Sequence, residues 1–181
     1  MASLIKHIIT MAFVVATLYS CNQGPSLQTY FVDNQERPNF LSIDVPLSMF
    51  KIDENQLTDD QKEAYRSVQK LNMLAYKIDS VNPANYKAEL NKIKTILNDK
   101  KYQELMRGGN SSDGKFVIKY LGDDDDIDEF ILFGNANEMG FAVVRILGDD
   151  MDANKLMKLS SVLEKGDIEN GQVKQMMDFF K

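Results

Sequence analysis

Histidine, cysteine and tryptophan are nearly absent from this sequence. The chain has one His, one Cys and no Trp among its 181 residues. A single Cys excludes an internal disulfide framework and any zinc site built from several cysteines. One His leaves little room for catalysis or metal binding through imidazole. The formal net charge of −6 argues against binding to nucleic acid, because phosphate contacts need clustered Lys and Arg.

The rest of the composition is typical of a folded domain. Hydrophobic residues make up 44% of the chain and charged residues 27%, which indicates a globular rather than a disordered protein. The length suits one ordinary domain with a core of its own. No internal repeat and no Pro-rich or Ser/Gly-rich linker divides the sequence, so we expect a single domain after the N-terminal region.

The N-terminus carries the pattern of a secretory signal. Lys6 and His7 precede an apolar stretch, residues 8–18, and this stretch is shorter than the roughly 20 apolar residues of a membrane-spanning helix. It ends in Leu18–Tyr19–Ser20–Cys21, which has the form of a bacterial lipobox. We therefore expect cleavage before Cys21 and attachment of lipid to its sulfur. An ordinary signal peptide with a chance Cys is the alternative, and the lack of any other Cys disfavours it.

Cleavage at this point would change which groups are available for chemistry. The signal, residues 1–20, contains the one His, and the lipid would cap the one Cys. Two or three acyl chains would anchor the protein stably, because each buried CH₂ contributes about 0.8 kcal/mol. The residues that follow Cys21 are uncharged, which favours the outer membrane, with the protein facing the periplasm, over export to the cell surface.

The pattern along the mature chain predicts an α+β fold. Nine of the ten Gly residues lie at or after Gly108, so we expect turn-connected strands mainly in the second half. Alternating polarity predicts strands at residues 40–44, 72–78, 115–121, 129–133 and 141–147. The last three form a three-stranded meander. We expect an antiparallel sheet, made of this meander plus the N-terminal strands, with helices packed mainly on one face.

Capping signals and apolar periodicity locate the helices. Short helices are expected at residues 27–35 and 46–51. Thr58–Asp59–Asp60–Gln61 is a capping box, and the helix behind it is expected to carry Tyr65, Val68 and Leu71 on one face. Another helix is expected to begin at Pro83, with an apolar stripe made of Tyr86, Leu90, Ile93 and Leu97. One more is expected to begin behind Asp152, with an apolar stripe made of Leu156, Leu159 and Leu163.

Two segments allow more than one interpretation. Residues 102–107 fit either a strand or a final helical turn. The last amphipathic segment places Val173, Met176, Met177 and Phe180 at i, i+3, i+4 and i+7. Such a stripe either docks against a partner or packs into the domain's own core, and we expect the second.

Several stretches carry a diffuse apolar pattern that resembles a known family. They are residues 102–107, 116–120, 129–133 and 141–147 with the following Gly148–Asp149, and upstream Phe31 and Met49–Phe50. This pattern is similar to that of a family of bacterial envelope lipoproteins, the domain of unknown function 4252 family, over most of residues 27–163. The resemblance implies a small α+β lipoprotein domain with no established activity, and it supplies no catalytic residue. The chain departs from the family pattern in its acidic run and in the segment after Gly166.

The acidic run, residues 123–129, is the strongest chemical signal of the mature chain. As a Ca²⁺ site it would use the carboxylates of Asp124, Asp126 and Asp128, since hard cations prefer oxygen ligands. The run lacks the Gly at position six and the Glu at position twelve of an EF-hand loop. The second interpretation, which we favour, is a solvated turn between two strands, whose like charges discourage edge-to-edge association.

A second acidic segment, residues 149–152, stands where a helix is expected to begin. Carboxylates there interact favourably with exposed amides and the helix dipole, so Asp152 is expected to be a cap. A cation site shared with the first run would need both segments at the same end of the sheet. Paired carboxylates could also support glycosidase-type hydrolysis, but a chain with 27 acidic residues offers many such pairs, and their spacing in the sequence does not give their separation in space.

These observations favour a lipid-anchored cell-envelope protein that acts as a non-catalytic binding or interaction module. The alternative is a carboxylate-dependent hydrolase or a Ca²⁺-dependent binding protein that uses residues 123–129 and 149–152. We expect no cofactor and no nucleic acid, contact with the membrane through Cys21, and an envelope protein as partner. The expected organisation is a signal peptide at 1–20, a lipidated Cys with tether and short helix at 21–38, and one α+β domain at 39–181.

Overall fold

The computed structural model describes residues 25–47, 52–78, 83–110, 112, 114–124, 126–136, 138–163 and 179. Four helices and six strands follow one another in the order α1 (Leu27–Asn34), β1 (Phe40–Pro46), a 3₁₀ turn (Glu54–Gln56), α2 (Asp59–Ser67), β2 (Val68–Lys77), α3 (Pro83–Leu97), β3 (Gln103–Asn110), β4 (Gly114–Asp123), β5 (Asp126–Ala136), β6 (Gly140–Met151) and α4 (Ala153–Leu163).

The six strands form one sheet in the order β1-β2-β6-β5-β4-β3. Every neighbouring pair is antiparallel. Strands β4, β5 and β6 form the predicted meander, and β2 joins its far edge by pairing with β6. The predicted α+β class, with a C-terminal meander plus N-terminal strands, is confirmed. Residues 102–107, which the sequence left open, lie mostly in strand β3.

The helices divide between the two faces of the sheet rather than gathering mainly on one. Helices α1 and α3 pack on the face that carries Leu74, Ile131 and Phe133, here called the α1/α3 face. Helices α2 and α4 pack on the opposite face, around Tyr120 and Phe130, here called the α2/α4 face. The reason is visible in β5, where Phe130 and Ile131 are adjacent and both buried. Successive strand residues point to opposite faces, so an apolar strand of this kind needs cover on both.

The predicted capping box is present at the start of α2. The Thr58 N–H donates to Gln61 Oε1 at 2.9 Å, and the Gln61 N–H donates to Thr58 Oγ1 at 3.4 Å. The prediction that this helix places Val68 and Leu71 on its apolar face is wrong, because α2 ends at Ser67 and β2 begins at the next residue. Pairing of β2 with strands on both sides overrides the local helical pattern there.

The other predicted helices have mixed outcomes. Helices α1, α3 and α4 agree with the sequence, and Tyr86, Ile93 and Leu97 of the predicted α3 stripe are buried. Pro46 lies in a strand and not in the helix expected at 46–51, whereas the next residue, Leu47, has 3₁₀ conformation. Pro46 ends β1, an edge strand, where its missing N–H costs no ladder hydrogen bond. Residues 48–51 and the stripe Val173, Met176, Met177 and Phe180 lie outside the described residues.

Among the residues that the structure describes, no helix combines the length and the apolarity needed to cross a membrane.

Candidate functional site

The acidic run forms the turn between β4 and β5. Asp123 pairs with Asp126 across this turn, and Asp124 lies between them. The Tyr120 hydroxyl donates to Asp124 Oδ1 at 2.5 Å, and this hydrogen bond raises the pKa of Tyr120 above its ordinary value. Asp126 and Asp128 are exposed, whereas Asp125 lies outside the described residues. The described aspartates of the run are therefore exposed at and beside a turn, as the favoured interpretation expects, whereas Ile127 is buried.

Glu129, the last residue of the run, has a different environment. Its carboxylate is buried and paired with Arg145, with Arg145 Nε 2.5 Å from Oε1 and Nη2 3.1 Å from Oε2. Both side chains are about 95% buried, with exposures of 6% and 5%. Helix α1 closes over the pair, because Arg145 Nη1 donates to Gln28 Oε1 at 2.7 Å and the guanidinium lies 5.0 Å from the ring centre of Phe31.

Sequence reasoning missed this ion pair. The signal was present in the alternation: Glu129 shares a face with the apolar Ile131, and Arg145 shares a face with the apolar Val143. One acid and one base on the buried faces of two strands are expected to pair if the strands are neighbours. Only the register, in which Ile131 stands opposite Arg145, brings the two charges together.

The second acidic segment lies at the same end of the sheet as the first, since Ile127 pairs with Met151. Asp152 caps α4 as predicted, because its Oδ1 accepts the Lys155 N–H at 2.9 Å. Asp149 accepts a hydrogen bond from Gln69 Nε2 at 2.6 Å. Among the described residues, no three or more His, Cys, Asp or Glu side chains converge closely enough to hold a metal ion.

A groove of about 560 Å³ runs between α1 and α3. Its walls come from Thr29 and Tyr30 on one side and from Ala88, Asn91, Thr95 and Ile96 on the other. One end of the groove lies at Pro25 and Ser26, where the N-terminal tether joins α1. The Ser26 hydroxyl caps α1 by accepting the Thr29 N–H at 3.1 Å. A cavity of this size is within the range of small-ligand and side-chain pockets.

A cluster of polar side chains centred on the buried Glu89 joins α1 to α3 beside this groove. The Tyr30 hydroxyl donates to Glu89 Oε2 at 3.1 Å. Arg37 Nη1 and Lys92 Nζ lie 3.1 and 2.9 Å from Glu89 Oε1. Arg37 also donates to Asn34 Oδ1 at 2.5 Å. Two cations and one hydroxyl thus satisfy a carboxylate that has almost no contact with water.

This environment shifts the pKa of both buried partners. Burial alone raises the pKa of Glu89, but the hydrogen bonds from Lys92, Arg37 and Tyr30 outweigh it and hold the pKa below its ordinary value. Burial, together with the nearby Glu89 carboxylate, raises the pKa of Tyr30 far above its ordinary value. At neutral pH, Glu89 is therefore ionised and Tyr30 is a neutral hydrogen-bond donor.

Comparison with known protein families gives one match. The family model described as a domain of unknown function, DUF4252, matches residues 30–159. The chain belongs to the DUF4252 family. The matched residues contain the whole sheet, α2, α3, most of α1 and most of α4. Most of the groove therefore lies within the match, whereas its lining residues Pro25, Ser26 and Thr29 precede it. Cys21 and the tether lie outside the match. No curated protein and no solved structure matches the chain.

The Glu89 cluster is expected to make part of the stability of the DUF4252 domain dependent on pH. Because the pKa of Glu89 is lower in the folded protein than its ordinary 4.5, its ionised form stabilises the fold above that pH. This contribution is lost as the pH falls through the folded-state pKa. Glu89→Gln is expected to lower the free energy of unfolding by about 1–2 kcal/mol at pH 7, since hydrogen bonds to a charged group are lost.

Urea unfolding at pH 7 and at pH 3.5 measures this difference. The difference in free energy of unfolding between wild type and Glu89→Gln should be smaller at pH 3.5 than at pH 7. The matched control is Glu36→Gln, which changes an exposed carboxylate and should stay within about 0.5 kcal/mol of wild type at both pH values. A gap for Glu89→Gln that is the same at both pH values would contradict the assignment.

Proposed function

We propose that this protein is a lipid-anchored cell-envelope module that binds an envelope protein through the groove between α1 and α3, without catalysis of its own. The observation that carries the proposal is the position of the groove at the end of the tether that follows the lipobox Cys21. Cys21, which would carry the lipid, and Pro25, which lines the groove, lie only a few residues apart in the sequence. The proposed location is the outer membrane, with the domain in the periplasm.

The length of the tether limits how far the groove can stand from the bilayer. Only five residues lie between Cys21 and Leu27, the first residue of α1. The six Cα-to-Cα steps from Cys21 to Leu27 can span at most roughly 20 Å, at about 3.4 Å per step. Helix α1 itself is fixed to the domain, because the Leu27 N–H donates to the Tyr102 hydroxyl oxygen at 3.2 Å and Tyr30 donates to Glu89. The groove would therefore be presented close to the membrane surface.

The pairing of buried acids also supports a binding role. Glu89 and Glu129 are the two buried carboxylates among the described residues, and each is held by cations and hydrogen bonds from its neighbours. A general acid or a nucleophile needs access to a substrate and a pKa suited to its task. Both carboxylates instead hold α1 in place, which keeps the wall of the groove rigid.

Photo-crosslinking in cells tests the binding proposal. A photoreactive amino acid at Thr95, inside the groove, should give a discrete adduct with an envelope protein. The same amino acid at Lys87, which is exposed on α3 outside the groove, is the matched control. Ala88→Trp, which would fill the groove, should remove the adduct at Thr95. Equal adducts at both positions, or an adduct that persists beside Trp at position 88, would reject the groove as the binding site.

A Ca²⁺-dependent function, or a hydrolase that uses the same carboxylates, remains the second proposal. One observation favours it: residues 123–129 and 149–152 lie at the same end of the sheet. Melting curves recorded while Ca²⁺ is titrated to millimolar concentration separate the two proposals, because a ligand that binds only the folded state raises the melting temperature. The binding-module proposal expects no shift. A saturable rise that Asp126→Asn removes would establish the cation site instead.

A further inference from the structure

A second cavity, of about 250 Å³, lies on the α1/α3 face beside the edge strand β3. Its described lining residues come from the C-terminal end of α3, from β3 and β4, and from Phe133 and Asn135 of β5. We call it the β3–β4 cavity. All of these residues differ from those that line the α1–α3 groove, so the two cavities lie on opposite sides of α3.

The β3–β4 cavity concentrates positive charge in an acidic protein. Four cationic side chains line it: Lys94, Arg107, Lys115 and Lys119. Glu104 is the one acid among its described lining residues, which gives the lining a formal charge of +3, whereas the whole chain carries −6. Like charges gathered around one cavity repel one another and attract anions into it.

Only part of this positive charge is neutralised within the cavity. Arg107 Nε donates to Glu104 Oε1 at 2.5 Å, and a second guanidinium nitrogen reaches the other carboxylate oxygen. The hydrogen bonds from Arg107 lower the pKa of Glu104, and the charge of Lys119 adds to this effect. Glu104 is therefore ionised at neutral pH and bound by Arg107. Among the described residues, no carboxylate pairs with Lys94 or Lys115.

Lys119 is the cation of this cavity that is hardest to explain by folding alone. It is only 9% exposed, and its Nζ donates to the Tyr102 carbonyl oxygen at 2.9 Å. That acceptor is neutral, and an ammonium group has three N–H donors. Glu104 stands opposite Lys119 in the pairing of β3 with β4, but it is already bound by Arg107. Because buried charges are normally paired, Lys119 indicates that an anion belongs in the cavity.

We propose that the β3–β4 cavity binds the phosphate group of a phosphate ester. A phosphate group carries about two negative charges and three acceptor oxygens, so several cations can share it. A carboxylate carries one charge and is matched by one guanidinium, as Glu104 already is by Arg107. Phe116 is 38% exposed and Val117 is partly buried, which leaves apolar surface beside the cations for the body of the ester.

This site goes beyond the proposed function, because it lies on the other side of α3 from the groove that would bind a protein. Its ligand chemistry has two sources, a soluble phosphate ester or the headgroup of an anionic phospholipid. Both present the same phosphate group to Lys94, Lys115 and Lys119, and two arms of the experiment distinguish them.

Thermal melting with glycerol 3-phosphate tests the site. A ligand that binds only the folded state raises the melting temperature, so we expect a saturable rise, with none for glycerol or for acetate at the same ionic strength. Lys94→Gln with Lys115→Gln is expected to weaken binding by at least about tenfold, through lost hydrogen bonds to a charged group. Both side chains are exposed, so the ligand-free variant should melt near wild type.

The matched control is Lys70→Gln with Lys87→Gln. It removes the same charge from two exposed side chains outside the cavity, and it should leave the affinity for glycerol 3-phosphate unchanged. An equal rise with acetate, or an equal loss of affinity in the two double variants, would overturn the proposal.

Vesicles identify the source of the phosphate. The Cys21→Ala chain, which cannot carry a lipid at that position, is sedimented with vesicles of phosphatidylcholine alone or with added phosphatidylglycerol. Retention on the anionic vesicles only, lost in the Lys94 and Lys115 double variant and kept in the control, would assign the site to a lipid headgroup. Binding of glycerol 3-phosphate without retention would assign it to a soluble ester. Failure to bind either would overturn the proposal.

Discussion

Arg145→Met is expected to destabilise the folded protein by about 3–5 kcal/mol, the cost of leaving a buried carboxylate without its partner. Arg145 on β6 and Glu129 on β5 are diagonal neighbours on one face of the sheet, and neither side chain has more than 6% of its surface exposed. Met keeps most of the volume that packs against Phe31 but donates no hydrogen bond. Glu129 would then lose both of its contacts with the guanidinium, and Gln28 of α1 would lose its donor.

Two control variants separate the ion pair from simple packing. Replacing both partners, as Glu129→Leu with Arg145→Met, is expected to recover most or all of the lost stability, because no unpaired charge remains. Arg107→Met removes the guanidinium of an exposed pair with Glu104 and should cost no more than about 1 kcal/mol. Urea unfolding at pH 7 measures all three. A double variant as unstable as Arg145→Met would show that the charges themselves are not the cause.

Cys21→Ala is expected to have the largest effect on where the protein is found, without changing the fold. The described residues begin at Pro25, beyond this position. If Cys21 carries two or three acyl chains, each buried CH₂ contributes about 0.8 kcal/mol to membrane attachment. Loss of the sulfur removes all of this at once. The variant is therefore expected to leave the membrane fraction while keeping the melting temperature of a lipid-free wild-type domain.

The parts of the fold that depend on residues close together in the sequence could be predicted from it. The capping box at Thr58 and Gln61 is a local exchange of hydrogen bonds, and it occurs as expected. The strands of the meander follow from alternation, and the cap of α4 at Asp152 follows from its place before an apolar helix. Each signal lies within a few residues of the structure it predicts.

The parts that were missed depend on residues far apart in the chain. The end of α2 at Ser67 is set by the pairing of β2 with β1 and β6, which no local pattern contains. The groove needs α1 and α3 side by side, and the bond from Tyr30 to Glu89 joins residues 59 positions apart. The helices cover both faces because the strands are apolar on both, as Phe130 and Ile131 show.

The candidate site was also only partly visible in the sequence. Asp124, Asp126 and Asp128 stand out as a charge run, and the structure places them in or beside an exposed turn. Glu129 belongs to the same run by sequence, yet it is buried because the strand alternation turns it toward Ile131 and the α1/α3 face. The run of charged residues therefore identified the turn. Which face of the strand each residue occupies decided whether its carboxylate is exposed or buried.

Lipid attachment at Cys21 is the central claim, and metabolic labelling tests it most directly. Cells that express the full chain are grown with a fatty acid that carries an alkyne, and the protein is examined for label and for its distribution between membrane and soluble fractions. A Cys21→Ala variant and a Cys21→Ala, Gly24→Cys variant, which moves the thiol away from the lipobox, serve as controls. We predict label and membrane attachment in the wild type and neither in the two variants. Wild-type protein without label, or a Cys21→Ala variant that stays in the membrane fraction, would contradict the claim.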